Sequence, residues 1–254
     1  MFRQWLVLCL VALLGIAAPA NAQDCDTKST ITAVADLAGI LKAKPDPLAN
    51  LATAANSPPF AKAPKTVNLP TAFVKGGDAS WKDSFPGTTS QEQVGILVRD
   101  SKGQYKWKRG PSGTSGSWAP NYGDLGAGET MIASLHTHPY SKAEGGFVGA
   151  GPSGGDIASM VTQQEPITIV HAGDTVFAVA ASKEFTDSLK GLTNAQLSAL
   201  FTTIDATYDA AFNKALAAGK GFKDAVNEAA LVTSTKHKFI FYSGPTSGPL
   251  IRRN

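Results

Sequence analysis

The chain has 254 residues, of which 43% are hydrophobic and 17% charged. This length is sufficient for one domain with a substantial core and a further extension. The 23 Lys and Arg residues nearly balance the 20 Asp and Glu residues, leaving a net charge of +3. Composition therefore provides no electrostatic basis for binding nucleic acid or an anionic membrane.

The amino terminus predicts a secretory signal peptide. Arg3 precedes an apolar run over residues 5–17, and small residues at 20–22 form a cleavage site. The run is too short to span a bilayer. We therefore expect cleavage after Ala22 and a periplasmic or secreted product with no membrane attachment. Cys25 is then the one cysteine left, which excludes an internal disulfide.

Residues 23–81 predict an amino-terminal extension. Apolar residues recur at helical spacing over 26–44, which predicts a short amphipathic helix. The following stretch, 45–81, is rich in Ala, Pro, Asn and Lys. This composition predicts a linker, or an extended segment that wraps over the domain without joining its core.

The remaining residues, 82–254, predict a domain in which strands and helices are interspersed. Alternating apolar residues from Val94 to Val98, the turn DSKG and the alternation at Tyr105 and Trp107 predict a β-hairpin. A Gly-, Ser- and Pro-rich loop over 110–128 leads to a strand at 131–138. A second hairpin follows, in which ITIVH and TVFAVA flank an AGD turn.

Residues 192–232 predict a helical segment, because apolar residues recur there at spacings of three and four. Glycines at 219 and 221 divide the segment into two helices. The sequence HKFIFYS near the carboxyl terminus predicts a closing strand. Together, these elements predict an α/β or α+β fold, with a mixed β-sheet flanked by helices.

Residues 134–160, SLHTHPYSKAEGGFVGAGPSGGDIASM, carry the strongest functional signal. On a strand, His136 and His138 point to the same face, and Pro139 ends the strand. Ser153 and Asp156 are spaced as in the first turn of a helix, where the serine can also cap the helix. Two imidazoles, one carboxylate and an open fourth position are typical of a catalytic zinc site.

The motif HTHP, followed later by Ser, two residues and Asp, resembles the JAMM motif of the JAB/MPN metallopeptidases. The resemblance covers residues 90–179. The interval between His138 and Asp156 is longer than in the zinc deubiquitinases of this superfamily. In this respect the chain is similar to a divergent bacterial secreted branch, described as DUF4329-like. The resemblance implies a JAB/MPN-like fold and a bound Zn²⁺.

The resemblance also implies roles for individual residues. His136, His138 and Asp156 would hold the zinc ion, Glu92 would act as general base, and Ser153 would support the oxyanion. The implied activity is hydrolysis of a peptide or isopeptide bond in a peptide or protein substrate. Glu129 competes with Glu92 for the role of base, but an extended chain would place it roughly 20 Å from His136.

Several alternatives remain at this point. The domain could be a non-catalytic JAB/MPN-like module that binds a protein partner through residues 192–232, or a secreted effector or toxin domain. His136 and His138 could be ordinary strand histidines. An HxH pair also opens the metal-dependent amidohydrolase barrels, but those need more residues and further histidines. We expect His171 and His237 to be surface residues rather than ligands.

Overall fold

The computed structural model describes residues 57–110, 112–113, 125–163 and 165–254. The predicted signal peptide, the predicted helix over 26–44 and most of the predicted loop over 110–128 lie outside these residues. The described strands are β1 (Thr66–Asn68), β2 (Val94–Arg99), β3 (Tyr105–Arg109), β4 (Thr130–Thr137), β5 (Ile167–Ala172), β6 (Thr175–Ala181), β7 (Phe239–Pro245) and β8 (Pro249–Arg252). The described helices are α1 (Thr71–Asp83), α2 (Gly154–Gln163), α3 (Lys183–Ser188), α4 (Asn194–Ala217) and α5 (Phe222–Lys236).

The eight strands form one mixed sheet in the order β1-β8-β7-β6-β5-β4-β2-β3. Strands β4 and β5 run parallel, and the other neighbouring strands of this sheet run antiparallel. Because parallel neighbours need a crossover connection, the chain leaves the end of β4, passes through α2 and returns along β5. The predicted mixed α+β architecture is confirmed, as are both hairpins and the division of the segment 192–232 into α4 and α5.

Both faces of the sheet are covered. Along β6, Val176 and Ala178 belong to one hydrophobic core with Phe73 of α1. Their neighbours Phe177 and Val179 belong to a second core with residues of α2, α4 and α5. Burial on both faces explains why the central strands are apolar at nearly every position.

The expectation that residues 45–81 stay outside the core is wrong for the last part of that stretch. Strand β1 pairs with β8 at the sheet edge, and Phe73 of α1 is 1% exposed. Pro70, one of the residues whose composition predicted a linker, occupies the N-cap of α1, directly before the first helical residue. The closing strand β7 is also followed by a further strand, β8, which the sequence analysis missed.

The pairing of β2 with β4 contains one irregularity. Leu97 pairs with Ala133, whereas Val98 pairs with Met131, so Ile132 of β4 is an extra residue at that point. This pattern is a β-bulge. On the other side of the bulge, towards the end of β4, Val94 pairs with His136. Within the described residues, no helix has the length and hydropathy needed to cross a membrane.

Candidate metal centre

Strand β4 delivers two histidine side chains to one point at its carboxyl end. His136 lies within the strand and His138 directly after it. Their Nε2 atoms are 3.1 Å apart, and both side chains are buried. The prediction that the two rings share one face is therefore confirmed.

Asp156, in the first turn of α2, reaches the same point. Its Oδ1 lies 3.1 Å from Nε2 of His136, and its Oδ2 lies 3.2 Å from Nε2 of His138. Helix α2 begins after the loop that follows β4, so the crossover connection brings its first turn next to the strand end. The three residues form a buried group whose potential ligand atoms all lie within 4.8 Å of one another.

The spacing of these atoms fits a tetrahedral metal ion. Ligands about 2.0–2.2 Å from a tetrahedral zinc ion lie about 3.3–3.6 Å from one another. The observed separations of 3.1 and 3.2 Å are close to that value. Two imidazole nitrogens and one carboxylate form a metal-binding donor set with a fourth position left for water or substrate. The group can therefore hold a metal ion.

The neighbours of His138 fix which of its nitrogens faces this group. Its Nδ1 lies 2.9 Å from the carbonyl oxygen of Gly151. A carbonyl can only accept, so Nδ1 carries a proton and donates it. Nε2 is then the nitrogen that can offer a lone pair to a metal ion.

Ser153 caps α2 and holds Asp156. The Ser153 Oγ accepts a hydrogen bond from the Asp156 amide (3.2 Å), and its hydroxyl donates to Asp156 Oδ2 (2.8 Å). The Ser153 amide also donates to Oδ2 (2.7 Å). The expectation that the serine caps the helix while Asp156 reaches the histidines is confirmed. These two donors fix one carboxylate oxygen of the metal-binding group.

Glu92 lies beside the same group because of the register between β2 and β4. Val94 pairs with His136, and the Thr137 amide donates to the Gln93 carbonyl (3.0 Å). Continuing this antiparallel register by one more residue sets Glu92 opposite His138. Glu92 is 8% exposed, and its Oε2 has no hydrogen-bond partner among the described residues. A buried carboxylate oxygen without a partner needs an explanation, and a role beside a metal ion would provide one.

Glu129, the competing glutamate, lies at the other end of β4. It immediately precedes the strand and pairs with Lys106 and Lys108, and it accepts a hydrogen bond from the Gly126 amide. The hydrogen bond from Lys108 lowers the pKa of Glu129. His136 lies six positions along the strand from Thr130, which corresponds to roughly 20 Å. Glu92 therefore lies beside the histidines and Glu129 does not, whereas the role of Glu92 as general base stays a prediction.

Burial and neighbouring charges set the protonation of the group. Burial raises the pKa of Glu92, and His138 and His136 offset part of that effect. For Asp156, burial opposes ionisation, but His136 and His138 hold its pKa well below the usual range. Burial lowers the pKa of His138, yet Asp156, Glu92 and the hydrogen bond to Gly151 together outweigh burial and raise the pKa to about 9. Without a metal ion, His138 is therefore protonated at neutral pH.

This protonation predicts the pH dependence of metal binding. A metal ion must displace the proton on His138, because only the neutral imidazole is a ligand. Asp156 is already ionised in this range, so His138 dominates the dependence. We expect zinc affinity to rise about tenfold per pH unit between about pH 7 and pH 9, and then to level off. The zinc affinity can be measured across this pH range by competition with a calibrated chelator. An affinity that is flat above pH 7 would show that His138 is neutral in the metal-free protein.

Comparisons with known proteins add no assignment. No family model, curated protein or solved structure matches the chain.

The other two histidines lie outside the metal-binding group. The expectation that His171 is a surface residue is wrong, because it is 2% exposed, stacks on Trp81 and has its Nε2 3.2 Å from Asp78. It lies in β5, which is buried along its whole length. His237 is partly exposed at the end of α5, near Thr207. Neither belongs to a described group of potential metal ligands.

Two residues near the centre were missed by the sequence analysis. Tyr140 packs edge-on against Phe147 and Phe222, and burial, Asp156 and Glu92 raise its pKa above the usual range. Tyr140 lies two residues after His138, and this short spacing could have predicted that it lies near the centre. Asn227 of α5 contacts the loop between His138 and α2. Its distance along the chain from that loop provided no local signal.

Proposed function

We propose that this protein is a secreted zinc-dependent metallopeptidase of JAMM type, with a JAB/MPN-like domain. One observation carries the proposal. His136, His138 and Asp156 converge as a group that could hold a metal ion, and opposite His138 in the strand register lies the buried Glu92, whose Oε2 has no hydrogen-bond partner among the described residues. A hydrolytic zinc site needs three protein ligands, an open position and an adjacent base.

Each residue has a role in this mechanism. His136, His138 and Asp156 would hold zinc, which when bound lowers the pKa of a water molecule and polarises the scissile carbonyl. Glu92 takes a proton from the attacking water and returns it to the leaving amine. Its raised pKa suits that role, because a base and acid works best when its pKa approaches the working pH.

Ser153 has two possible contributions. Its hydroxyl donates to Asp156 Oδ2, so it orients a zinc ligand. Support of the oxyanion, as the family resemblance implies, would require the hydroxyl to turn from Asp156 towards the substrate. Burial and the charges of Asp156 and Glu92 raise the pKa of Tyr140, so its hydroxyl stays protonated and could serve as a second donor near the centre.

The peptide or isopeptide substrate and the secreted location rest on other grounds. The substrate class rests on the resemblance to JAB/MPN metallopeptidases, and the location rests on the signal-peptide pattern of residues 1–22. A protein substrate or partner could also contact the α4–α5 segment, where Leu216 and Val232 are exposed.

A cleavage assay tests the proposal. Mature protein loaded with zinc is incubated with a peptide library and with peptides joined through a lysine side chain, and products are identified by mass spectrometry. We expect cleavage that stops when a chelator removes the metal and returns when zinc is added. Cleavage that survives the chelator, or that is unchanged in His136→Ala protein, would point to a different enzyme. If neither the peptide library nor the lysine-linked peptides were cleaved, the peptidase proposal would be rejected.

A further inference from the structure

Asn227 of α5 contacts the loop between His138 and α2 at two points. Its Nδ2 donates to the Gly149 carbonyl (3.0 Å), and its Oδ1 accepts from the Gly151 amide (2.8 Å). An amide side chain has one donor group and one acceptor group, so the two bonds use both and define its orientation. The Gly149 amide in turn donates to Ala172 of β5 (2.8 Å). The loop is thus fixed between helix α5 and the sheet.

Gly151 links this contact to the metal-binding group. Its amide bonds to Asn227, and its carbonyl accepts from Nδ1 of His138. A hydrogen bond at the nitrogen that does not face the metal fixes the tautomer and ring orientation of a histidine ligand. The position of the Gly151 backbone therefore determines how Nε2 of His138 is presented.

The packing around Gly151 leaves little room for another arrangement. A Cβ at this position would lie 2.8 Å from Asn227 Oδ1 and 3.3 Å from the Phe177 ring. Gly151 is buried, so water has little access to its amide if Asn227 is removed. The neighbouring Phe147 also packs on Phe222 of α5, with ring centroids 4.9 Å apart.

We propose that Asn227 is a positioning residue for the zinc ligand His138 and acts through the Gly151 backbone. The inference rests on the proposed zinc site and gives helix α5 a role in that site. Asn227 does not touch the reacting atoms in this mechanism. Its effect is on the orientation of the His138 ring, and hence on metal affinity.

The test compares zinc affinity in four forms of the mature protein: wild type, Asn227→Ala, Asn227→Asp and the matched control Asn213→Ala. Asn213 is exposed on α4, so its replacement repeats the chemical change away from the loop. We expect Asn227→Ala to bind zinc about 10- to 100-fold more weakly, as is typical when the partner of a histidine ligand is disturbed. Asn213→Ala should match the wild type. Circular dichroism of each metal-free form controls for the fold.

Asn227→Asp separates the two contacts. Aspartate keeps an acceptor for the Gly151 amide and loses the donor to Gly149. If the effect passes through Gly151, Asn227→Asp should bind zinc more weakly than the wild type but more tightly than Asn227→Ala. If Asn227→Ala does not fold, Asn227→Asp is compared with the wild type alone: weaker zinc binding supports the inference, and equal zinc binding with an unchanged His138 ring overturns it. An Asn227→Asp affinity below that of Asn227→Ala would overturn the route through Gly151.

Nitrogen NMR of the His138 ring in the zinc-loaded protein gives a second readout, which a purely structural role would not change. In the wild type, we expect one set of ring signals, with a protonated Nδ1 and a metal-bound Nε2. In Asn227→Ala, we expect this single set of signals to be lost. Equal zinc affinity and the same ring pattern in both proteins would overturn the inference alone. A wild-type protein that binds no zinc would reject the proposed function, and the inference with it.

Discussion

Replacing Glu92 with glutamine should leave zinc content and fold unchanged and lower the rate of hydrolysis by about 10²- to 10⁴-fold, the typical value of general acid–base catalysis. Glutamine has nearly the shape of glutamate but cannot accept a proton at neutral pH. Glu92 is not one of the three grouped ligands, so the metal should remain. Replacing a buried carboxylate by a neutral amide also lowers the cost of burial, so the melting temperature should not fall.

The measurement is kcat/KM on a confirmed substrate, together with zinc content and thermal unfolding of each variant. Glu129→Gln is the matched control, because Glu129 pairs with lysines at the opposite end of β4. We expect this control to keep wild-type activity. Full activity in Glu92→Gln and loss of activity in Glu129→Gln would show that Glu129, and not Glu92, is the general base. Full activity in both would mean that hydrolysis does not use either carboxylate.

Replacing His136 or His138 with alanine should abolish zinc binding, from about one ion per chain in the wild type to none. A catalytic zinc ion has three protein ligands, and two ligands leave too few bonds to hold the ion against water. Elemental analysis of protein purified without chelator measures the content. If both variants retained one zinc ion per chain, the ion would have to lie elsewhere.

His171→Ala is the control that separates ligation from burial. His171 is as fully buried as the three proposed ligands, but it contacts Asp78 and Trp81 instead of them. We expect this variant to keep zinc while losing about 1–3 kcal/mol of unfolding free energy, as expected for the loss of a packed polar residue. If His171→Ala also lost zinc, the loss in the His136 and His138 variants could result from a damaged fold and would not show that these histidines are ligands.

The sequence predicted the parts of the centre that depend on local spacing. The strand period sets His136 and His138 on one face, and the first-turn spacing brings Ser153 and Asp156 into a reciprocal cap. Both patterns involve residues within three positions of each other. Local backbone geometry is therefore sufficient to predict both pairs without the rest of the fold.

The remaining features depend on contacts between distant segments. Glu92 had a weak local signal, and its place beside His138 follows from the pairing of β2 with β4. Asn227 meets Gly151 across 76 positions of sequence, and no spacing rule reaches that far. His171 was different, because it follows the apolar residues Ile169 and Val170 in a strand buried on both faces. Its burial could have been inferred from that run.

The bulge at Ile132 divides the β2–β4 pair into two halves whose pairing is offset by one residue. Because side chains alternate between faces, a slip of one residue in the half next to the proposed metal centre would turn Glu92 to the opposite face and bring a glutamine into its place. The other half of the pair contains the start of β4 and is joined to the β2–β3 turn. It already contains one extra residue, and Glu92 nevertheless stays on the face of His138. Insertions and deletions there can thus be accommodated, whereas residues 92–97 and 133–138 have a fixed length.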